Sequence, residues 1–250
     1  MLELSEGFIV EEISNQRFNV EQINSITRKY PTRRQQSKAP TFALTFQGTA
    51  HTLVNNVGFS MEEALEIEKN YHKLYQVSDQ WVQVQIKQAH QDGYALGAFG
   101  LRIRTPLLKQ VVYGSGRAPY EAASEARTLG NAISGQSYGL LNNRAAAAFM
   151  EQVRNSKYRL DIKLVALIHD AIYLLIRDDV TIVEWVNNEL IKAMQWQELP
   201  EIQHPTVKLG AELDLFWPSW ASKVTLPNNA DAVTIRSLCD KLKEGQSNKE

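Results

Sequence analysis

The chain has 250 residues, long enough for one large domain or two smaller ones with cores of their own. Its 27 Lys and Arg nearly cancel 28 Asp and Glu, so net charge says nothing about partners and only the placement of charge is informative. A single cysteine excludes a disulfide framework. No apolar run reaches the ~18 residues of a membrane span and the acidic N-terminus lacks a signal-peptide pattern, so the expectation is no membrane and a cytoplasmic setting.

Charge is unevenly placed. From Gln22 to Met61 there is no acid, while Arg28, Lys29, Arg33, Arg34 and Lys38 lie there. From Gly93 to Tyr120 acids are again absent, and Arg102, Arg104, Lys109 and Arg117 are present. Two such windows in a neutral chain point to local polyanion contacts rather than a general affinity, although chance gaps in the acids fit the same residues.

Residues 1 to about 30 read as mixed short elements. Arg34, Lys38, Phe42 and Phe46 then follow at steps of four, which on a helix places them on one slowly drifting face. Two cations and two aromatics so arranged can hold a phosphate chain at one end and a planar base at the other. The same spacing equally serves an amphipathic helix with its aromatics in a core. Pro40 predicts a kink or a helix start. Ser60 with Glu63 forms a capping box for a helix that carries Ala64, Ile67, Tyr71 and Leu74 inward. A second helix, from near Ser78 to before Gly93, buries Val82, Ile86 and Ala89, with His72 and His90 facing solvent.

Gly93 to Pro106 reads as strand, turn and strand. Arg102 and Arg104, two apart, share one side of a strand and suit a phosphate backbone, or are simply a surface pair. A helix from Pro119 to Ile133 buries Ala122, Ala126, Leu129 and Ile133, with Arg127 and Asn131 one turn apart on another side. After Gly135 a second, Ala-rich helix is expected from Gln136 to about Asn155.

Lys163 to Arg177 consists of two apolar runs flanking His169-Asp170. It predicts a β-hairpin buried on both faces with that pair near its tip. A carboxylate at the edge of so apolar a surface is costly unless a cation such as a divalent metal lies beside it. Asp170 as a plain turn former fits the same residues. A helix from Val180 to Trp196, an alternating strand from Thr206 to Phe216 and a polar tail complete the chain.

Four of these stretches carry a family resemblance. Arg34-x3-Lys38-x3-Phe42-x3-Phe46 with Gly48 resembles the fingers helix of family A (polymerase I-like) DNA polymerases. Gly100-Leu101-Arg102-Ile103-Arg104-Thr105-Pro106 is similar to their Gly-Arg-rich element, and Arg127-x3-Asn131 with Gln136 to the palm helix that grips primer-template. Ile168-His169-Asp170 resembles the palm hairpin that ends in a metal-binding Asp. The likeness covers about 30 to 225 and is nearest the bacteriophage branch.

The resemblance implies an α+β fold: a helical fingers subdomain over 1–115, part of a palm over 116–230 with an antiparallel sheet carrying the catalytic hairpin, and a polar tail over 231–250. It implies that Arg34 and Lys38 contact the incoming triphosphate, with Lys38 assisting the leaving pyrophosphate, and that Phe42 and Phe46 serve the nucleotide. A Phe at 42 rather than a Tyr implies discrimination against sugars lacking the 3′-hydroxyl. Arg102, Arg104, Arg127, Asn131, Gln136 and His169 would contact DNA, and Asp170 would bind two catalytic Mg2+ ions. The implied activity is template-directed nucleotidyl transfer in viral DNA replication within a host cytoplasm, on primer-template DNA and dNTPs.

Departures from the family pattern are specific. Phe46 stands where Tyr is usual, Gln47 intrudes before Gly48, Pro40 interrupts the helix, Gln136 comes one residue late, and Ala171 replaces a Glu. Nothing before Arg34 matches the Asp-x-Ser-x-x-Glu motif that bears the first metal-binding Asp. The chain is therefore expected to be a C-terminal portion, with an N-terminal polymerase fragment supplying that carboxylate, the thumb and an exonuclease if one is present. The alternative is a non-catalytic DNA-binding remnant of the fold. A His-Asp metal phosphohydrolase would need further His and Asp ligands on helices, which His169-Asp170 between strand-like runs does not offer.

Overall fold

The computed structural model describes residues 29–111, 119–203, 205 and 209–247. Residues 1–28, Arg117 and the first part of the strand expected from Thr206 lie outside them. The chain is α+β, mostly helical with three two-stranded sheets among the described residues, and it divides into two compact units.

The first unit takes residues up to Ala95 and Arg102–Ile133. Helix α1 (Pro31–Thr45) opens with Pro at its first turn, where a missing N–H costs nothing, and runs through Pro40 without ending. The Thr41 hydroxyl donates to the Ser37 carbonyl (2.8 Å) beside that proline. The helix closes where Gln47 turns left-handed (φ 63°) and the Gly48 N–H reaches back to the Ala43 carbonyl (2.8 Å). A Cβ on Gly48 would sit 2.5 Å from that same oxygen, so only glycine fits. The residue that departs from the family spacing, Gln47, is thus the one that makes the turn.

Helices α2 (Ala50–Val57), α3 (Met61–Leu74) and α4 (Gln76–Asp92) follow. The predicted capping box starts α3: Glu63 N–H donates to Ser60 Oγ and Ser60 N–H to Glu63 Oε2. Leu44, Leu53, Ala64 and Tyr71 form one core. Leu74, expected inward, is half exposed, because it lies at the last residue of α3, where the buried stripe ends. His72 is exposed as expected, though it pairs with Asp79 (2.7 Å). Strands β1 (Tyr94–Leu96) and β2 (Arg102–Arg104) form a ribbon, and α5 (Pro106–Lys109) is a single turn. A second core joins Ala89, Ala95 and Leu108 to Leu129 and Ile133.

Leu129 and Ile133 belong to α6 (Tyr120–Asn155), a helix of 36 residues whose first part lies in this unit and whose second part lies in the other. The break expected at Gly135 is absent. A helix-interior glycine costs only ~1 kcal/mol, and the Ala-rich turns that follow outweigh it.

The second unit holds Leu96–Leu101 and the chain from Ser134 onward. Strands β3 (Ile162–Ile168) and β4 (Ala171–Ile176) make the predicted antiparallel hairpin, with a bulge between Leu164 and Ala166. The Arg177–Asp161 ion pair (3.0 Å) closes its open end. Ile162, Leu174 and Ile176 face a core built from Phe149 and Val153 of α6 and Ile182, Val186 and Leu190 of α7 (Val180–Met194).

The hairpin is well covered on one face only, against expectation. Val165 is 59% and Leu175 66% exposed, and Ile168 is exposed too. Helices pack on one side of the two-stranded sheet, and on the other, among the described residues, the Trp220 ring covers Tyr173 alone (centroids 5.2 Å apart). Strands β5 (Leu213–Phe216) and β6 (Lys223–Leu226) pair antiparallel, and of the described residues of the strand expected from Thr206 only Leu213–Phe216 are strand. Helix α8 (Ala232–Ser247) gives the tail regular structure, with Ile235 buried beside Leu226 and Val183.

Candidate nucleic-acid interface

The predicted residues fall into three groups. On α1 the buried residues Pro40 and Leu44 take one side, which leaves Lys38, Phe42 and Phe46 outward. Phe42 is 58% and Phe46 42% exposed, and their rings stack at 6.1 Å and 21°. The aromatics are not part of a core. A stacked, solvent-facing pair beside a cation that forms no ion pair with a described residue offers a planar group and a phosphate complementary surfaces. Arg34 lies one turn before Lys38 on the same helix.

The second group lies on β2 and α6. Arg102 and Arg104 are both exposed, with Ile103 turned into the core between them. Arg102 lies over the Tyr94 ring (4.8 Å). Neither arginine forms an ion pair with a described residue, so both guanidiniums are free of carboxylate competition there. Arg127 and Asn131 are exposed on α6 opposite buried Leu129 and Ile133, with Arg127 over Tyr120 (5.6 Å). Gln136 is exposed as well, but five residues of continuous helix turn it about 140° from Asn131. The helix does not bring Gln136 onto the face that Arg127 and Asn131 share.

The third group is the hairpin tip. His169 and Asp170 occupy the two-residue turn, both exposed, with His169 left-handed (φ 53°). Asp170 is exposed, so its carboxylate is not buried against its apolar flanks as expected. The sequence did not reveal what holds this turn. Asn142 of α6, only 5% exposed, donates from Nδ2 to the carbonyls on either side of Asp170, Ala171 O at 3.2 Å and His169 O at 3.4 Å. Its Oδ1 has no partner among the described residues. Two carbonyls facing one amide require the NH2 end there, which settles the amide's orientation. The available signal was Asn142-Asn143, a polar pair inside an apolar, Ala-rich helix.

No three His, Cys, Asp or Glu side chains converge among the described residues. Asp170 is a suitable oxygen donor for Mg2+, yet one carboxylate does not make a magnesium site. The described residues therefore fit at most part of such a site.

Helices packed on one face of a hairpin with a carboxylate at its tip, after a helical unit with exposed cations and stacked phenylalanines, define a chain built like the fingers and palm portion of a nucleic-acid polymerase. The family model for DNA polymerase family A matches residues 9–220, and the chain belongs to that family. Among solved structures it is similar to the POL domain of Pol1 from M. smegmatis, in a complex with DNA primer-template and dNTP, at a TM-score of 0.56 and 18% identity. The match covers 70% of this chain and 28% of that one, so the chain spans under a third of that relative. A comparison with curated proteins finds no match. No helix among the described residues is long and apolar enough to cross a membrane.

Proposed function

We propose that the chain is the C-terminal fingers and palm portion of a DNA-directed DNA polymerase that acts in template-directed nucleotidyl transfer. The observation that carries this reading is Asp170: an exposed carboxylate at a hairpin tip held by a buried amide, in a chain of family A. Residues 1–115 serve as fingers, 116–230 as part of the palm, and 231–250 as a C-terminal extension. Lys38 and Arg34 bind the triphosphate of a dNTP, and Lys38 neutralises the departing pyrophosphate. Phe42 lies against sugar and base, with Phe46 extending the stack. Arg102, Arg104, Arg127 and Asn131 contact primer-template DNA, as does Gln136 from another side of α6, while His169 approaches the primer end.

Asp170 contributes one ligand to the metal centre. The remaining carboxylate comes from outside these residues, in our reading from an N-terminal polymerase fragment. Bound Mg2+ supplies charge stabilisation to phosphoryl transfer. The motif set favours the bacteriophage branch and so a viral replication role in a host cytoplasm.

Primer extension tests this reading, with the chain mixed with an N-terminal fragment bearing the first palm Asp, primed template, dNTPs and Mg2+. Extension should appear in the mixture and fall at least about a hundredfold with Asp170→Asn. Full extension by that variant would remove Asp170 from the mechanism. The second reading is a non-catalytic DNA-binding remnant, and the absence of a carboxylate cluster among the described residues favours it. A folded mixture that binds primed DNA and never extends it would establish the remnant instead.

A further inference from the structure

The turn that delivers Arg102 and Arg104 has an unusual composition. Gly97 and Leu101 close it through the Gly97 N–H and the Leu101 carbonyl (2.7 Å), and the Leu101 N–H donates to the Ala98 carbonyl (3.2 Å). Its two central residues, Phe99 and Gly100, are both left-handed, at φ 57° and 73°. Consecutive positive φ values are the signature of the hairpin turns that match strand twist, and Asn-Gly is the pair that adopts them readily. Gly100 fits. Phe99 does not, because a bulky side chain is a rare occupant of that region. Phe99 therefore needs support from outside the turn.

That support comes from the end of α7. The Phe99 ring lies parallel to the indole of Trp196 (5° between planes, centroids 6.1 Å apart). Arg144 of α6 fixes the indole in turn: its guanidinium sits 3.8 Å from the Trp196 ring centroid and donates to the Ala193 carbonyl (3.2 Å) in the last turn of α7. A second tie joins the Ala98 N–H to Ser137 Oγ (2.9 Å). Arg102 follows Leu101 directly, so the turn sets where the exposed face of β2 begins.

We propose that Trp196 is a positioning residue: braced by Arg144, it holds Phe99 left-handed and so fixes the hairpin turn that presents Arg102 and Arg104 to a nucleic-acid phosphate backbone. The inference rests on the polymerase reading only in naming the ligand. Without the indole the turn relaxes to a right-handed form that mismatches the strand twist, and the two arginines lose their common side.

The test measures binding of a fluorescent primer-template duplex by the whole chain across a range of salt concentrations. Each phosphate contact contributes about 0.9 to the slope of log affinity against log salt, so losing two arginine contacts should lower the slope by about two. Trp196→Ala should show that loss, while Trp196→Phe, which keeps a stacking ring, should not. The decisive variant is Trp196→Ala combined with Phe99→Asn, since Asn accepts the left-handed turn unaided and should restore the slope. A merely structural role for Trp196 would not be rescued at Phe99. Should Trp196→Ala fail to fold, Phe99→Leu must lose the slope and Phe99→Asn keep it. Unchanged slopes for Trp196→Ala or for Phe99→Leu, or no rescue by Asn, overturn the inference alone. A wild-type chain that shows no salt-dependent binding overturns the polymerase reading with it.

Discussion

Asn142 and Phe42 show how differently two residues near a site can matter. The Asn142 amide is buried and bridges the two carbonyls that flank Asp170. Asn142→Leu keeps the branched shape and removes the donor, leaving two carbonyls without their buried partner. The expected loss is about 1–2 kcal/mol, read as a lower urea midpoint. Phe42 is the opposite case. It is largely exposed and buries little, so Phe42→Ala should change stability by less than about 0.5 kcal/mol. In a reconstituted extension assay it should nonetheless weaken nucleotide use, seen as a raised KM for dNTP. A variant that destabilises the fold as a core substitution does would return Phe42 to a packing role.

Among the elements, α6 is where local preference and packing can be separated. Its glycines look alike in the sequence and differ in surroundings. A Cβ on Gly139 would meet nothing within 4 Å, while one on Gly130 would come 3.1 Å from a Val82 methyl. Gly139→Ala should stabilise the chain by about 0.5–1 kcal/mol through helix propensity and unfolded-state entropy. Gly130→Ala gains the same propensity but must push α4 and α6 apart, so thermal melts should place it clearly below Gly139→Ala. Equal melting shifts for the two would mean that the close approach at Gly130 carries no cost.

Across the whole molecule, acid sensitivity follows from a few carboxylates. Burial pushes the Asp214 carboxyl up, but hydrogen bonds from Lys223 and Thr225 and the Lys223 charge together hold it below the usual range. The hydrogen bonds from Ser60 lower Glu63, and those from Thr234 lower Asp231. A lowered carboxyl binds fewer protons in the native state than in the unfolded chain. Its contribution is present above the unfolded value of about 4 and is lost as pH falls through the lower native value. Urea midpoints measured from neutral pH down to about pH 3 should therefore decline, and Asp214→Asn should flatten part of the decline. A midpoint as steep in that variant would place the effect elsewhere.

The sequence alone carried many of the elements, because helix caps, hydrophobic period and turn residues are local properties, while the continuity of α6 through Gly135 and the helix α8 were not legible. The Ser60–Glu63 box, the β3–β4 hairpin and the tip position of His169 and Asp170 were all legible that way. Exposure was not local. Whether Phe42 and Phe46 faced a core or solvent depended on Leu44 and Pro40 taking the inner side of α1. Whether the hairpin was covered on one face or two depended on which helices packed against it. The Asn142 clamp and the support of Phe99 by Trp196 join residues 27 to 97 positions apart, and no periodicity encodes such a pairing. Spacing along the chain determines which residues share a surface of one element, while only the packing of elements against each other decides which of those surfaces water, or a ligand, can reach.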